Sequence, residues 1–319
     1  MNVVPHTDFK FHPLITQIGC YWGGGGHTEL YLLEGDRLAI VDTGVAGTPD
    51  AYVAPALAAM GRRLADIDVI INTHGHYDHA GGNARVVEES QAEIWMPPQD
   101  VAIAEDPNHQ FTAYFAQSDV LIGREDRLEA SRESICQQAG GLAKVTRTFN
   151  DGDSIDLGRG LVLTVIHVPG HTQGSSCFYL ERDGLLIAGD AVLGAGSRPG
   201  GLPLIYFPDD YERSLDLLET LDLNLLCLGH HYRSLSLTRE SVKYGRDGKR
   251  FIRESREIAH RIAEAIDTAS RDRSQPFLDA AQKASRALVG PLSLILDPET
   301  GLAQSQGVPA LFAYWSAAH

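Results

Sequence analysis

Thr73-His74-Gly75-His76-Tyr77-Asp78-His79 sets three imidazoles and a carboxylate within six residues, at the end of the apolar run VIINT at 69–73. A short apolar run of this kind predicts a buried strand that delivers a loop at its C-terminal end, where α/β proteins place their sites. Four strongly polar groups there need partners that a core does not supply, and metal ions supply them best. Imidazole and carboxylate without thiolate suit zinc, with iron or manganese next. Side chains 74, 76 and 78 share one side of an extended segment, while His79 reaches a second position. One three-ligand site leaves donors unused, so two adjacent ions are the economical reading.

The same arrangement recurs along the chain. The run at 161–170 reads as a strand ending at HTQGS, SCFYLERDGLLIAGD at 176–190 as a hairpin ending at Asp190, and NLLCLGHH at 224–231 as a strand ending on His230 and His231. Upstream, TELYLLEGDRLAIVDTG at 28–44 reads as two strands joined by Glu34-Gly35-Asp36. Residues 49–65 carry Val53, Leu57, Met60 and Leu64 at helical spacing, GGNARVVEE opens another helix, and 209–221 is amphipathic. Four strand ends that deliver polar residues predict one shared site. Beyond Arg233 the pattern becomes helical over 239–289, with Phe251, Ile258, Ala259, Ile262, Ala263 and Ile266 in one stripe and a Gly290-Pro291 break after it.

With His171 in PGHT, Asp190 in AGDA and His230 in LGHH beside the H-x-H-x-D-H motif, the sequence resembles the metallo-β-lactamase fold superfamily of metal-dependent hydrolases over residues 15–232. The motifs stand in the family's order. The resemblance implies a four-layer αββα sandwich of the α/β class over residues 1–235, with 236–319 as a helical C-terminal extension that caps the site or forms a homodimer interface. It implies two divalent metal ions, one on His74, His76 and His171, the other on Asp78, His79 and His230, with Asp190 bridging them. Asp42 matches the family's early DTG element and is expected to accept a hydrogen bond from a ligand histidine, the alternative being a turn aspartate. The implied activity is hydrolysis of a small ester, thioester or lactone by a metal-bridging hydroxide that attacks the carbonyl, with Asp78 and Asp190 as catalytic residues that orient the nucleophile and shuttle its proton.

Within the superfamily, Asp190 argues against a β-lactamase and His76 against the diiron flavoprotein branch. Ala191-Val192-Leu193 after Asp190 departs from the acyl-homoserine lactonases, which leaves the glyoxalase II and thioesterase type in front. The alternatives are a regulatory protein of the same fold acting through a partner, and a phosphodiesterase. The Gly/Pro-rich segment 194–210 is expected to line the substrate pocket, with Tyr206 and Phe207 as contacts. His231 is a further candidate contact, and His27 after the Gly23–Gly26 run either lines the site or sits at a hairpin tip.

The 319 residues carry 27 Lys+Arg against 42 Asp+Glu, a formal charge of −15, which disfavours a nucleic-acid partner. Residues 1–232 hold 14 cationic and 32 anionic side chains, whereas 233–289 hold 13 and 8, so the extension is basic and offers Lys243, Lys249 and Arg250 to an anionic substrate. Cys20, Cys136, Cys177 and Cys227 form no CxxC pair and read as reduced core residues. Without an apolar span or a recognisable leader in MNVVPHTDFKFHP, the expectation is a cytoplasmic protein with no membrane partner.

Overall fold

Val69–Ile71 forms a strand buried along its whole length, as the run VIINT predicts. The computed structural model describes residues 8–272, 275–303 and 307–318. The leader reading of the stretch before Asp8 lies outside the described residues. Two units divide the chain: Met1–Ala113, Ala130–His167 and Gly174–Asp183 form the first; Tyr114–Glu129, Val168–Gln173 and Gly184–His319 form the second.

In the first unit seven strands cross one sheet in chain order: β1 Asp8–His12, β2 Ile15–Trp22, β3 Gly26–Glu34, β4 Leu38–Val41, β5 Val69–Ile71, β6 Glu93–Met96 and β7 Arg147–Thr148. The first four are an antiparallel meander, and β4 to β7 run parallel. Side chains alternate between the two faces of a strand. Leu30, Leu32, Ile40, Ile70 and Ile94 thus join Ile18 and Cys20 in one core cluster, covered by Val53 and Leu57.

The helix expected over 49–65 is shorter. A wide turn at Pro49–Val53 leads into an α-helix at Ala54–Ala59, which stops because Gly61 takes a left-handed backbone (φ +71°). Leu64 is still buried, on the separate single turn Leu64–Asp66. Leu57→Ala opens a cavity in this cluster and is expected to lower the unfolding free energy by about 2–5 kcal/mol, measured by urea titration. The same unit contains the antiparallel strands β8 Ser154–Asp156, β9 Val162–His167 and β10 Ser176–Leu180.

The second unit contains β11 Leu185–Gly189, β12 Leu225–Leu228 and β13 Val242–Tyr244, with β11–β12 parallel and β12–β13 antiparallel. β13 falls where the helical reading of 239–289 put none, because a three-residue strand carries too few positions for a period-2 pattern to register. The helix Arg246–Ala269 buries Phe251, Ile258, Ala259, Ile262 and Ile266 as its stripe predicts. Its partner Phe277–Leu292 runs through Gly290-Pro291, where a break was expected. Pro291 lies in the last turn, so its missing N–H costs one helical bond; Ser293 then closes the end in a left-handed conformation. Ile258, Ile262, Ala280, Ala284, Leu288 and Leu311 belong to the core of this unit.

The mixed α/β class with two sheets and a helical C-terminal region is the one the sequence predicts. Part of the basic extension pairs with the acidic helix Pro208–Thr220. Arg253 meets Glu219 at 3.4 Å, Arg256 meets Glu219 at 2.9 Å, and His260 meets Glu212 at 2.8 Å. Lys243 is buried, with Nζ donating to the Thr238 carbonyl at 2.5 Å. Arg250 pairs with Glu254 at 3.1 Å. No helix among the described residues is long and apolar enough to cross a membrane.

Candidate metal centre

The first unit carries the histidine loop at the C-terminal end of β5. His76 directly precedes the single helical turn Tyr77–Ala80, which carries Asp78, half-buried, in its first turn and buries His79. The rings gather closely: His74 and His79 are 4.2 Å apart between centroids, and His74 and His76 4.9 Å. Three imidazoles crowded this way in a buried loop repel one another if protonated, and suit a common cation if neutral.

Hydrogen bonds fix which nitrogen the His74 and His79 rings present. Asp42 Oδ2 lies 2.8 Å from His79 Nδ1 and accepts from Thr73 Oγ1, also at 2.8 Å. Having given its proton to Asp42, the Thr73 hydroxyl accepts at 3.0 Å from His74 Nδ1. Both rings therefore carry the proton on Nδ1 and keep Nε2 as the lone-pair atom, the state in which imidazole binds a metal. Asp42 Oδ1 accepts from the Thr73 backbone N–H at 2.8 Å. Asp42 thus ties Thr73 to His79 and is held at φ +61°, a conformation that Asp tolerates better than most residues.

A second ring of polar groups supports this one. Asn83 Nδ2 donates to Asn72 Oδ1 at 2.8 Å, and Thr43 Oγ1 donates to Asn83 Oδ1 at 2.7 Å. The Thr43 N–H donates to the His79 carbonyl at 2.7 Å. Thr43, Asn72, Thr73 and Asn83 are buried. Sequence reading assigned none of these four, although each flanks a motif it used: DTG, NTH and GGN.

In the second unit the loops after β11 and β12 deliver Asp190 and His230, and His171 lies on Val168–Gln173. His171 Nδ1 donates to the Leu204 carbonyl at 2.8 Å, so its Nε2 is again the presented atom. That Nε2 is 3.5 Å from Asp190 Oδ2, and His230 Nε2 is 3.3 Å from the same oxygen. Two imidazole nitrogens converging on one buried carboxylate oxygen are stable only with positive charge shared among them. The donor set of each unit therefore fits transition-metal ions.

Tyr206 stands with its ring 6.1 Å from His171 and edge-on to Tyr114 at 4.9 Å. Tyr206 and Phe207 both donate their N–H to the Gly170 carbonyl, which ties the expected pocket residues to the PGHT segment. His231 is half-buried, and its carbonyl accepts from Arg239. His27 is no solvated tip: its Nε2 lies 3.0 Å from Glu29 Oε1, with little of either side chain exposed. Burial first, and then the Asp190 charge, push the Tyr211 phenol up, so it stays neutral and accepts from the Leu193 N–H at 3.0 Å. Burial also pushes the Cys177 thiol up, which removes it as a nucleophile.

Comparison with known proteins agrees with this chemistry. The sequence pattern of the Metallo-beta-lactamase superfamily matches residues 23–230. An acyl-coenzyme A thioesterase, MBLAC2, from Bos taurus is 27% identical over 217 residues, covering 65% of this chain and 72% of the relative. A hydroxyacylglutathione hydrolase from Rhizobium etli is 29% identical over 274 residues, covering 81% of this chain and 88% of the relative. The crystal structure of a metallo-beta-lactamase family protein from Thermus thermophilus superposes with a TM-score of 0.65 at 22% identity, over 88% of this chain and 95% of that one.

Proposed function

The chain belongs to the metallo-β-lactamase superfamily, and on that premise we propose that it is a dinuclear metal-dependent hydrolase of a small acyl thioester, with esters and lactones as neighbouring chemistry. His74, His76 and His171 would hold one ion and Asp78, His79 and His230 the other, with Asp190 offering its carboxylate to both. Zinc suits this nitrogen-rich, thiolate-free donor set best. The reading is carried by one observation: His74, His79 and His171 all have Nδ1 committed to a protein acceptor, so that each presents Nε2. The thioesterase and the hydroxyacylglutathione hydrolase among the relatives support the acyl substrate.

Two divalent ions supply Lewis acidity and hydroxide at neutral pH. The protein's part is to hold the donors in place and manage the proton. Asp42 keeps His79 in its Nδ1–H form, while the Leu204 carbonyl does the same for His171. Asp78 and Asp190 orient the attacking water and take up its proton. Tyr206, with Phe207 beside it in sequence, offers apolar contact to the acyl group, and His231 a polar one. The four cysteines stand as thiols, three of them buried, which supports a reducing, cytoplasmic setting.

The test is a panel of an S-acyl glutathione, an acyl-coenzyme A, a lactone, a β-lactam and bis-p-nitrophenyl phosphate, run on zinc-loaded protein. We expect a thioester to give the highest kcat/KM and His76→Ala to abolish that turnover. A phosphodiester or β-lactam turned over faster than every thioester, or full activity in His76→Ala, would overturn the assignment.

A further inference from the structure

We propose that Asp100 and Gln110 together fix the backbone of the histidine loop and act as positioning residues for the imidazoles it carries, an inference that rests on the metal-site reading above. Both side chains are buried. Asp100 Oδ2 accepts the Gly75 N–H at 2.9 Å. Gln110 Nε2 donates to the Gly75 carbonyl at 2.6 Å, and its Oε1 accepts the Tyr77 N–H at 2.9 Å. Three consecutive peptide groups, 74–75, 75–76 and 76–77, are therefore each held by one of two side chains. Rotation about the Gly75 and His76 backbone bonds is blocked, and those bonds aim the His74 and His76 side chains.

The clamp has its own supports. Gln110 Nε2 also donates to the Ile103 carbonyl at 3.0 Å, which leaves its amide one orientation. Asp100 Oδ1 accepts the Gly174 N–H at 2.9 Å, so the carboxylate holds a second backbone segment, three residues after His171 in sequence. Glycine is required at both contacts. A Cβ at Gly75 would lie 2.7 Å from Ile103 Cγ1 and 2.8 Å from the Asp100 carbonyl oxygen, and one at Gly174 would lie 2.6 Å from Asp100 Cγ. The glycine between the two histidines thus serves the approach of Asp100.

Burying a carboxylate is costly unless hydrogen bonds compensate, and an apolar residue would fill the same space without that cost. A charged acceptor gives shorter and stronger bonds to N–H groups than a neutral one. Metal sites need their donors within about 0.5 Å and 10–20° of the binding geometry. A clamp on the backbone between two ligands answers that need in a loop with no regular structure before Tyr77.

Zinc affinity of the full chain, measured by competition with a chromophoric chelator, tests the proposal alongside urea unfolding of each metal-free protein. Asp100→Asn, which turns an acceptor toward a donor, and Gln110→Glu, which loses both donated bonds, are each expected to weaken zinc binding about 10–100-fold. Leu57→Ala, a core variant of comparable or greater instability, is expected to bind zinc like the wild type. Wild-type affinity in both clamp variants, or an equal loss in Leu57→Ala, would refute the proposal. If Asp100→Asn does not fold, Gln110→Glu decides by the same criterion. A wild-type protein that binds no zinc would remove the metal-site reading itself, whereas zinc binding that the clamp variants leave unmoved would remove only the clamp.

Discussion

Asp190→Ala is expected to lower kcat/KM by about three orders of magnitude or more, since a bound metal contributes several kcal/mol of transition-state stabilisation and each ~1.4 kcal/mol is tenfold. His171 Nε2 and His230 Nε2 both face Asp190 Oδ2, at 3.5 and 3.3 Å. Removing the carboxylate takes away the one negative charge that both rings face. The His171 ring gains no new acceptor in exchange, because its Nδ1 is already committed to Leu204. Metal content measured on the same preparation should fall with activity. Steady-state kinetics and elemental analysis read the two effects, with circular dichroism to confirm the fold. Retained activity with full metal content would show that Asp190 is an ordinary loop carboxylate.

Asp42→Asn should have the next largest effect, through a proton rather than a ligand. Asn tolerates the left-handed backbone that Asp42 adopts at φ +61°, so the substitution changes the side chain and leaves the turn in place. One amide oxygen can still take the Thr73 N–H, but the amide nitrogen then faces Thr73 Oγ1 and His79 Nδ1, both donors in the native arrangement. The pair is satisfied most simply if His79 moves its proton to Nε2, the atom it would present to a metal. We expect about a 10–100-fold loss of metal affinity. Asp42→Ala leaves three buried donors unsatisfied and should add a stability loss at about 1–3 kcal/mol for each. Chelator competition and urea unfolding separate the two variants; metal affinity unchanged in both would reduce Asp42 to a turn residue.

The candidate donors were legible because they are chemically dense and stand at strand ends. His74, His76, Asp78 and His79 declare themselves within six residues, and His171, Asp190 and His230 each follow an apolar run. Asp42 was legible through its motif alone. Asp100 and Gln110 were not: they lie 25 and 35 residues from Gly75, in a segment of short turns without periodicity. Their role is set by tertiary contact to a backbone N–H and carbonyl, which leaves no mark on local sequence. The apolar stripe of Arg246–Ala269 repeats over many turns and was readable, whereas β13 spans three residues and takes its register from β12. The charge of the extension was readable as a sum but not as an arrangement, since its pairing with Glu212 and Glu219 depends on which helix faces lie together.

Metal content and position test the central claim most directly. Elemental analysis of protein purified without chelators, followed by anomalous diffraction at the metal edge from its crystals, should give two transition-metal ions per chain. One peak is expected at His74, His76 and His171 and the other at Asp78, His79 and His230, with Asp190 touching both. Catalytically active protein without transition metal, or ions bound away from these seven residues, would contradict the account.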